Sequence, residues 1–198
     1  MKKFTLGILM LASVIVAKAQ DATYKPFKVD LALGYAIPGG TGAKGGVLFA
    51  LEPKYAVIPN VSVGLRMEAA VMARGQVDAS GNSANVDVKA AGSYLLTGDY
   101  YFTSTTVRPF AGLGLGLYSL AAASVSDNGS SASASGGSKF GEMIRAGVEI
   151  AHFRVGLEYN FVPKTTTEVI VGSTKSEWSS KNSYMGIKLG FFIGGGKN

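Results

Sequence analysis

VSVGLRMEAAVM, residues Val61 to Met72, sets Val61, Val63, Leu65, Met67, Ala69 and Val71 on one face of an extended chain and Ser62, Gly64, Arg66, Glu68 and Ala70 on the other. Period-two alternation of this kind marks a β-strand whose two faces meet different surroundings. FRVGLEYNF, Phe153 to Phe161, repeats the pattern, with Phe153, Val155, Leu157, Tyr159 and Phe161 opposed to Arg154, Gly156, Glu158 and Asn160. Leu113, Leu115 and Leu117 alternate with Gly112, Gly114 and Gly116, and Met185, Ile187, Leu189 and Phe191 with Gly186, Lys188 and Gly190. Eight segments alternate in this way: 27–36, 46–57, 61–72, 88–102, 107–120, 140–150, 153–162 and 183–193. Most approach the ten or so residues that a tilted strand needs to cross a bilayer.

The connections between them alternate long and short. Ile37 to Gly45, Ala73 to Asp87, Ala121 to Lys139 and Pro163 to Asn182 are long, whereas Ile58 to Asn60, Thr103 to Thr106 and Ala151-His152 are short. Strict alternation predicts an up-and-down meander with every long loop at one end, which is the asymmetry of outer-membrane barrels. The even strand count puts both termini at the short-turn end. The expected fold is therefore all-β, an eight-stranded antiparallel up-and-down transmembrane β-barrel.

Which face meets lipid follows from composition. A soluble barrel that turned its apolar face inward would cover its outside with Lys, Glu, Thr and Asn, because glycine weakens a strand and offers water nothing. Here the non-apolar face is Gly and Ala punctuated by charge. That mixture suits the interior of a narrow eight-stranded barrel, where large side chains interleave with very small ones. The apolar face is thus assigned to hydrocarbon.

On the inferred lumen face lie the acids Asp30, Glu52, Glu68, Asp99, Glu149 and Glu158 and the bases Lys28, Lys54, Arg66, Arg108, Arg145, Arg154 and Lys188. Enclosed charges must pair, since one left alone costs several kcal/mol. Their central members, Glu52, Arg66, Glu68, Arg145, Glu149, Glu158 and Lys188, are expected to form an ion-pair network that plugs the lumen.

Aromatic residues on the lipid face gather at both strand ends. Phe27, Tyr55, Tyr100, Phe102, Phe153 and Phe191 fall near the short turns, and Tyr35, Phe49, Tyr94, Phe140, Tyr159 and Phe161 near the long loops. Girdles at both membrane interfaces look like this. Two residues fit the alternation poorly: Leu95 falls on the lumen face and Glu142 on the lipid face.

The ends set the route. Lys2 and Lys3 precede an apolar run from Phe4 to Ala17, closed by Ala17-Lys18-Ala19, which reads as a secretory signal peptide cleaved after Ala19. The domains are then 1–19, the leader, and 20–198, one barrel. Loss of Lys2, Lys3 and Lys18 without any acid lowers the formal net charge from +6 to +3, too mild and too scattered for nucleic acid. With 47% hydrophobic residues and no later run long enough for a membrane helix, strands are what would cross a membrane. The absence of Cys excludes disulfides, thiolate metal sites and a lipidated N-terminal Cys.

Ser93 to Phe102 (SYLLTGDYYF), Arg108 to Leu117 (RPFAGLGLGL) and Phe153 to Phe161 resemble the small outer-membrane barrels of the OmpA-like transmembrane domain and OmpW-like type. The resemblance implies a bacterial outer-membrane location, with outer-membrane lipid, periplasmic chaperones and the barrel-assembly machinery as partners. The plugged lumen and the lack of a catalytic set point to a non-enzymatic role in envelope structure or surface interaction; the alternative that the resemblance allows is an OmpW-like, porin-like passage of small or hydrophobic solutes. Such barrels commonly end on an aromatic residue, whereas here Phe191 and Phe192 are followed by Ile-Gly-Gly-Gly-Lys-Asn.

No catalytic, cofactor or metal set emerges. His152 is the only histidine and sits in a two-residue turn at the short-turn end, while a Ser-His lipid-modifying site would need one near the outer leaflet. The glycines of 112–116 lie within an alternating strand and lack the helix that a phosphate loop requires. Ser126 to Ser138 is low-complexity, which predicts a mobile loop. In the last long loop, an exposed Trp178 is a candidate contact anchor for an extracellular partner of unknown identity.

Overall fold

The computed structural model describes the backbone of residues 25–40, 43–72, 76–78, 83–84, 89–120, 123–127, 130–134, 137–171 and 174–195. The expected leader, 1–19, lies outside the described residues. Alternation becomes a closed barrel of eight strands: β1 (Phe27–Pro38), β2 (Gly46–Ile58), β3 (Val61–Met72), β6 (Lys89–Tyr101), β7 (Val107–Leu120), β10 (Gly137–Ile150), β11 (Phe153–Phe161) and β14 (Tyr184–Gly194). Each pairs antiparallel with its chain neighbours, and β1 closes the ring on β14. Closure leaves no barrel edge with unpaired backbone groups, the condition for a sheet to exist in hydrocarbon.

The long connections carry strands of their own. β4 (Gln76–Asp78) and β5 (Ser83–Ala84) belong to the second long loop, β8 (Ala123–Asp127) and β9 (Ser130–Ala134) to the third, and β12 (Thr165–Val171) and β13 (Thr174–Ser180) to the fourth. The second and fourth loops join in one sheet of order β12-β13-β4-β5, and β8 pairs with β9. The low-complexity Ser126–Ser138 stretch, expected as a mobile loop, thus lies largely in regular strands: small residues give a hairpin no side-chain signal, yet its backbone pairs from Ala123↔Ala134 to Asp127↔Ser130.

Side chains divide as the alternation requires. In β3, Ser62, Gly64, Arg66, Glu68, Ala70 and Met72 are buried, whereas Val63, Leu65, Ala69 and Val71 are exposed. In β11, Phe153, Val155, Leu157, Tyr159 and Phe161 point outward. The apolar face is therefore the outer one on every barrel strand, opposite to a soluble ligand-binding barrel. Both aromatic groups named from the sequence also lie on this exterior, Tyr55 being half-buried there.

The lumen is solid because glycines stand opposite the large side chains. A Cβ on Gly112 would lie 2.1 Å from Asp99 Oδ1 and 3.2 Å from Arg145 Nε, and one on Gly186 would lie 2.9 Å from Glu158 Cγ. The outer third of the lumen is apolar instead: Ala36, Leu48, Ala70, Met72, Leu95, Tyr118, Met143, Val162 and Tyr184 form one buried cluster. Leu95 thus belongs inside. Glu142 remains outside, between Leu115 and Phe161 on the neighbouring strands.

Adding a β-branched side chain should distinguish the two faces on adjacent strands. Gly112→Val forces atoms into Asp99 and Arg145 and should lower stability by at least about 1–3 kcal/mol. Gly98→Val, at a position with nothing within 4 Å, should leave the midpoint of denaturant unfolding in detergent essentially unchanged.

Candidate functional site

The lumen charges assemble in two levels, each joining paired strands as well as strands that are not neighbours in the sheet. At the short-turn level Arg145 (β10) grips Glu52 (β2) with both guanidinium nitrogens, each at 2.7 Å, and donates its Nε to Asp99 (β6) at 2.7 Å. The same Asp99 accepts from Lys54 Nζ at 2.8 Å and from Arg154 at 2.9 Å. Lys54 also bridges to Asp30 at 2.6 Å. Glu149 Oε1 accepts from Lys28 at 2.5 Å, Arg154 at 2.7 Å and the Tyr101 hydroxyl at 2.9 Å.

One step nearer the loops, Arg66 (β3) binds Glu68 and reaches Glu158 (β11) at 2.5 Å. Lys188 (β14) pairs with the same Glu158 and lies 3.8 Å from Glu68. Tyr184 donates its hydroxyl to Glu68 at 2.6 Å, and Tyr118 donates to Asn160 at 2.7 Å. These two tyrosines also belong to the apolar cluster above, so the hydrogen-bonded level and the hydrocarbon level share side chains.

Of the seven residues expected at the centre, Arg66, Glu68, Glu158 and Lys188 fall together in the upper level and Glu52 and Arg145 in the lower. Glu149 sits deeper still and joins them through Arg154 and Asp99. Sequence reasoning placed Asp99, Lys54, Asp30, Lys28 and Arg154 on this face but outside the central set. Asp99, which three cations contact, is the junction. Its signal was Gly112, directly opposite in the register of β6 and β7.

Electrostatically the assembly balances itself. Six carboxylates face Lys28, Lys54, Arg66, Arg145, Arg154 and Lys188, so the two levels sum to neutrality. Arg108 adds a seventh cation at the short-turn mouth, 3.9 Å from Glu149 Oε2, stacked 4.1 Å over the Tyr101 ring and donating to the Pro59 carbonyl at 3.0 Å. Between the levels lies a cavity of about 30 Å³, lined in part by Asp30, Glu52, Arg145, Arg154, Glu158 and Lys188. That is room for water alone.

Chemically, such groups hold one another rather than a substrate. A carboxylate saturated by arginine and lysine is a poor proton shuttle, and each acid here faces at least one cation. Among the described residues no group of three His, Cys, Asp or Glu side chains is placed to hold a metal ion. His152 lies in the Ala151-His152 turn, its Nδ1 3.2 Å from the Phe192 carbonyl oxygen and its ring against Phe191 and Phe192. Trp178 lies in β13, opposite Thr167 and Asp78 in the backbone register. Its side chain is outside the described residues.

Among solved structures the chain is similar to Neisserial surface protein A, with a TM-score of 0.57 and 20% identity over 86% of this chain and 97% of that one. It is also similar to the outer membrane protein OprG from Pseudomonas aeruginosa, with a TM-score of 0.56 and 13% identity over 87% and 98% of the two chains. No protein-family model matches the sequence. No curated protein matches it either. At these identities the likeness is one of fold: the resemblance to small outer-membrane barrels read from the sequence holds at the level of the closed eight-stranded architecture.

Breaking one member of the lower level should cost far more than removing a pair. Arg145→Met leaves Glu52 and Asp99 buried without their guanidinium and should reduce unfolding free energy by about 3–5 kcal/mol. Adding Glu52→Gln to that variant should recover part of the loss, as read by denaturant titration of the folded protein in detergent.

Proposed function

We propose that this chain is a non-enzymatic integral protein of a bacterial outer membrane. In this reading the charged lumen is a structural plug, and the long loops serve envelope structure or surface interaction on the cell exterior. The observation that carries it is the pairing of an apolar exterior with a salt-bridged interior. Leu33, Leu65, Leu96, Leu113, Leu157 and Leu189 each expose more than half of their surface, on six of the eight strands. A water-soluble protein of this size exposes no such continuous belt, whereas hydrocarbon requires one.

Export by the leader 1–19, with cleavage after Ala19, and passage through periplasmic chaperones to the barrel-assembly machinery belong to the same reading. Placing the loops outside follows from the short turns, since the chain arrives from the periplasm. A plugged lumen favours structure over transport: ion pairs and a tight apolar cluster stand across the bore, and the cavity between them is about 30 Å³. The OmpW-like alternative, passage of small or hydrophobic solutes, needs a path that these side chains would have to vacate.

Planar-bilayer recording separates the two readings: the plug predicts no large, steady conductance, and such a conductance would remove it in favour of a porin. Membrane residence is read from carbonate extraction and from a gel shift between unheated and boiled samples, both expected for the folded barrel. Leu96→Arg, at the middle of the belt, should cost about 2–4 kcal/mol of folding free energy in bilayers.

A further inference from the structure

Deepening the surface-interaction reading and resting on it, we propose that the loop end of β10 is a strand-addition site. It takes one extended peptide segment of a partner protein, which pairs with the free backbone edge at Phe140 and Ser138 and brings a basic side chain to Glu142. β10 keeps its ladder with β7 along its whole length, from Gly137↔Leu120 to Ile150↔Val107. Its ladder with β11 ends sooner, at Glu142↔Phe161. Beyond that pair, among the described residues, β10 has a strand on one side only.

The phase of the ladders fixes which backbone groups are free. Phe102 donates its N–H to the Pro109 carbonyl, so odd-numbered residues of β7 face β6 and even-numbered ones face β10. Through Gly116↔Gly141, odd-numbered residues of β10 bond β7, and even-numbered ones turn their N–H and C=O the other way. Glu142 meets Phe161 there, whereas Phe140 and Ser138, next in phase, meet no strand among the described residues. Pro163 is the cause. In the continued register it stands opposite Phe140, where it has no N–H to give, and its carbonyl accepts from Asn182 Nδ2 at 2.6 Å. β12 then continues β11 while β13 leads into β14, so β13 covers the β14 side of β12 and, among the described residues, leaves the β10 side open. Unpaired edges of this kind accept a further strand.

A cleft of about 350 Å³ marks the gap, with Phe140, Gly141 and Glu142 on one side and Phe161, Val162 and Pro163 on the other. Ser138 and Pro163 are exposed at its outer rim, where an extended segment enters from water. Main-chain bonds make the slot a strand site, and outward side chains choose the strand. Phe140, Glu142 and Phe161 share the outward face, and Glu142, exposed there, lies outside the ion pairs of the lumen. An incoming residue opposite Phe140 is diagonal to Glu142, within reach of a long side chain. Lysine or arginine fits, its head on the carboxylate and its stem along the two rings. An acidic residue would be repelled, and a lipid, lacking N–H and C=O groups at strand spacing, would leave the edge unpaired.

The test offers the processed protein, folded in detergent micelles, three probes: a capped peptide alternating threonine and valine about a central arginine, its twin with a central glutamate, and the arginine peptide N-methylated at the arginine and at every second residue from it. NMR reads both affinity and amide exchange. The arginine peptide should slow exchange of the Phe140 and Ser138 amides and bind about tenfold more tightly than the glutamate twin. The N-methylated peptide should leave those amides unprotected. Ser138→Pro removes one free N–H without touching the β7 ladder and should weaken binding about fivefold. Glu142→Lys should reverse the preference between arginine and glutamate. Equal binding of the N-methylated peptide, exchange at Phe140 and Ser138 unchanged on binding, or undiminished binding by a heat-shifting Ser138→Pro barrel would overturn the site. So would self-association of wild type that Ser138→Pro abolishes, which gives the slot to a second copy. A heat-shifting wild type that binds no peptide defeats the strand site alone, whereas a wild type with no heat shift and no carbonate resistance defeats the outer-membrane reading.

Discussion

Asp99, held by Arg145, Arg154 and Lys54 at 2.7 to 2.9 Å, is the contact on which the interior turns. Its three partners come from β10, β11 and β2, none of which pairs with β6, so each reaches Asp99 over at least one intervening strand of the curled sheet. A buried carboxylate without these cations would cost several kcal/mol, and three cations without it would repel. The charges therefore favour closure over any open or slipped sheet. A slip of one residue in any strand's register would turn that strand's charges to the outer face.

Packing and electrostatics solve the same problem here. Arg145 and Asp99 can meet over the intervening strand β7 because Gly112 leaves the space between them empty, and Glu158 fits because Gly186 lies beside it. Above the charges, Leu48, Leu95 and Met143 fill the tube with hydrocarbon, and Tyr118 and Tyr184 join the layers by facing apolar neighbours with their rings and polar ones with their hydroxyls. The interior is thus dry at one end and ionic at the other. The exterior inverts that order, being apolar along the whole belt.

Much of this was legible because the side-chain period of a strand is two. The eight barrel strands begin and end within about three residues of the stretches read from alternation, and the facing of Val63, Arg66 and Leu157 follows without further information. What could not be read was pairing that depends on distant chain segments. Trp178 lies opposite Asp78 because two loops far apart in sequence share a sheet, and no local pattern in either predicts that. Asp99 looked terminal because it stands near the end of its strand, yet the reach of Lys54 and Arg154 makes it central. Leu95 looked misplaced only because the lumen was expected to be polar along its whole length.

The central physical claim is that the outward side chains touch hydrocarbon and the inward ones touch each other. Since the chain has no cysteine, single spin labels can be attached at Leu96→Cys, on the belt, and Leu95→Cys, its inward neighbour. Electron paramagnetic resonance of the protein in lipid bilayers then reports collision with dissolved oxygen and with a water-soluble nickel chelate. High oxygen and low nickel accessibility at position 96, with both low at 95, is the predicted result. Ready access of the nickel chelate to position 96 would put water where hydrocarbon belongs and contradict the claim.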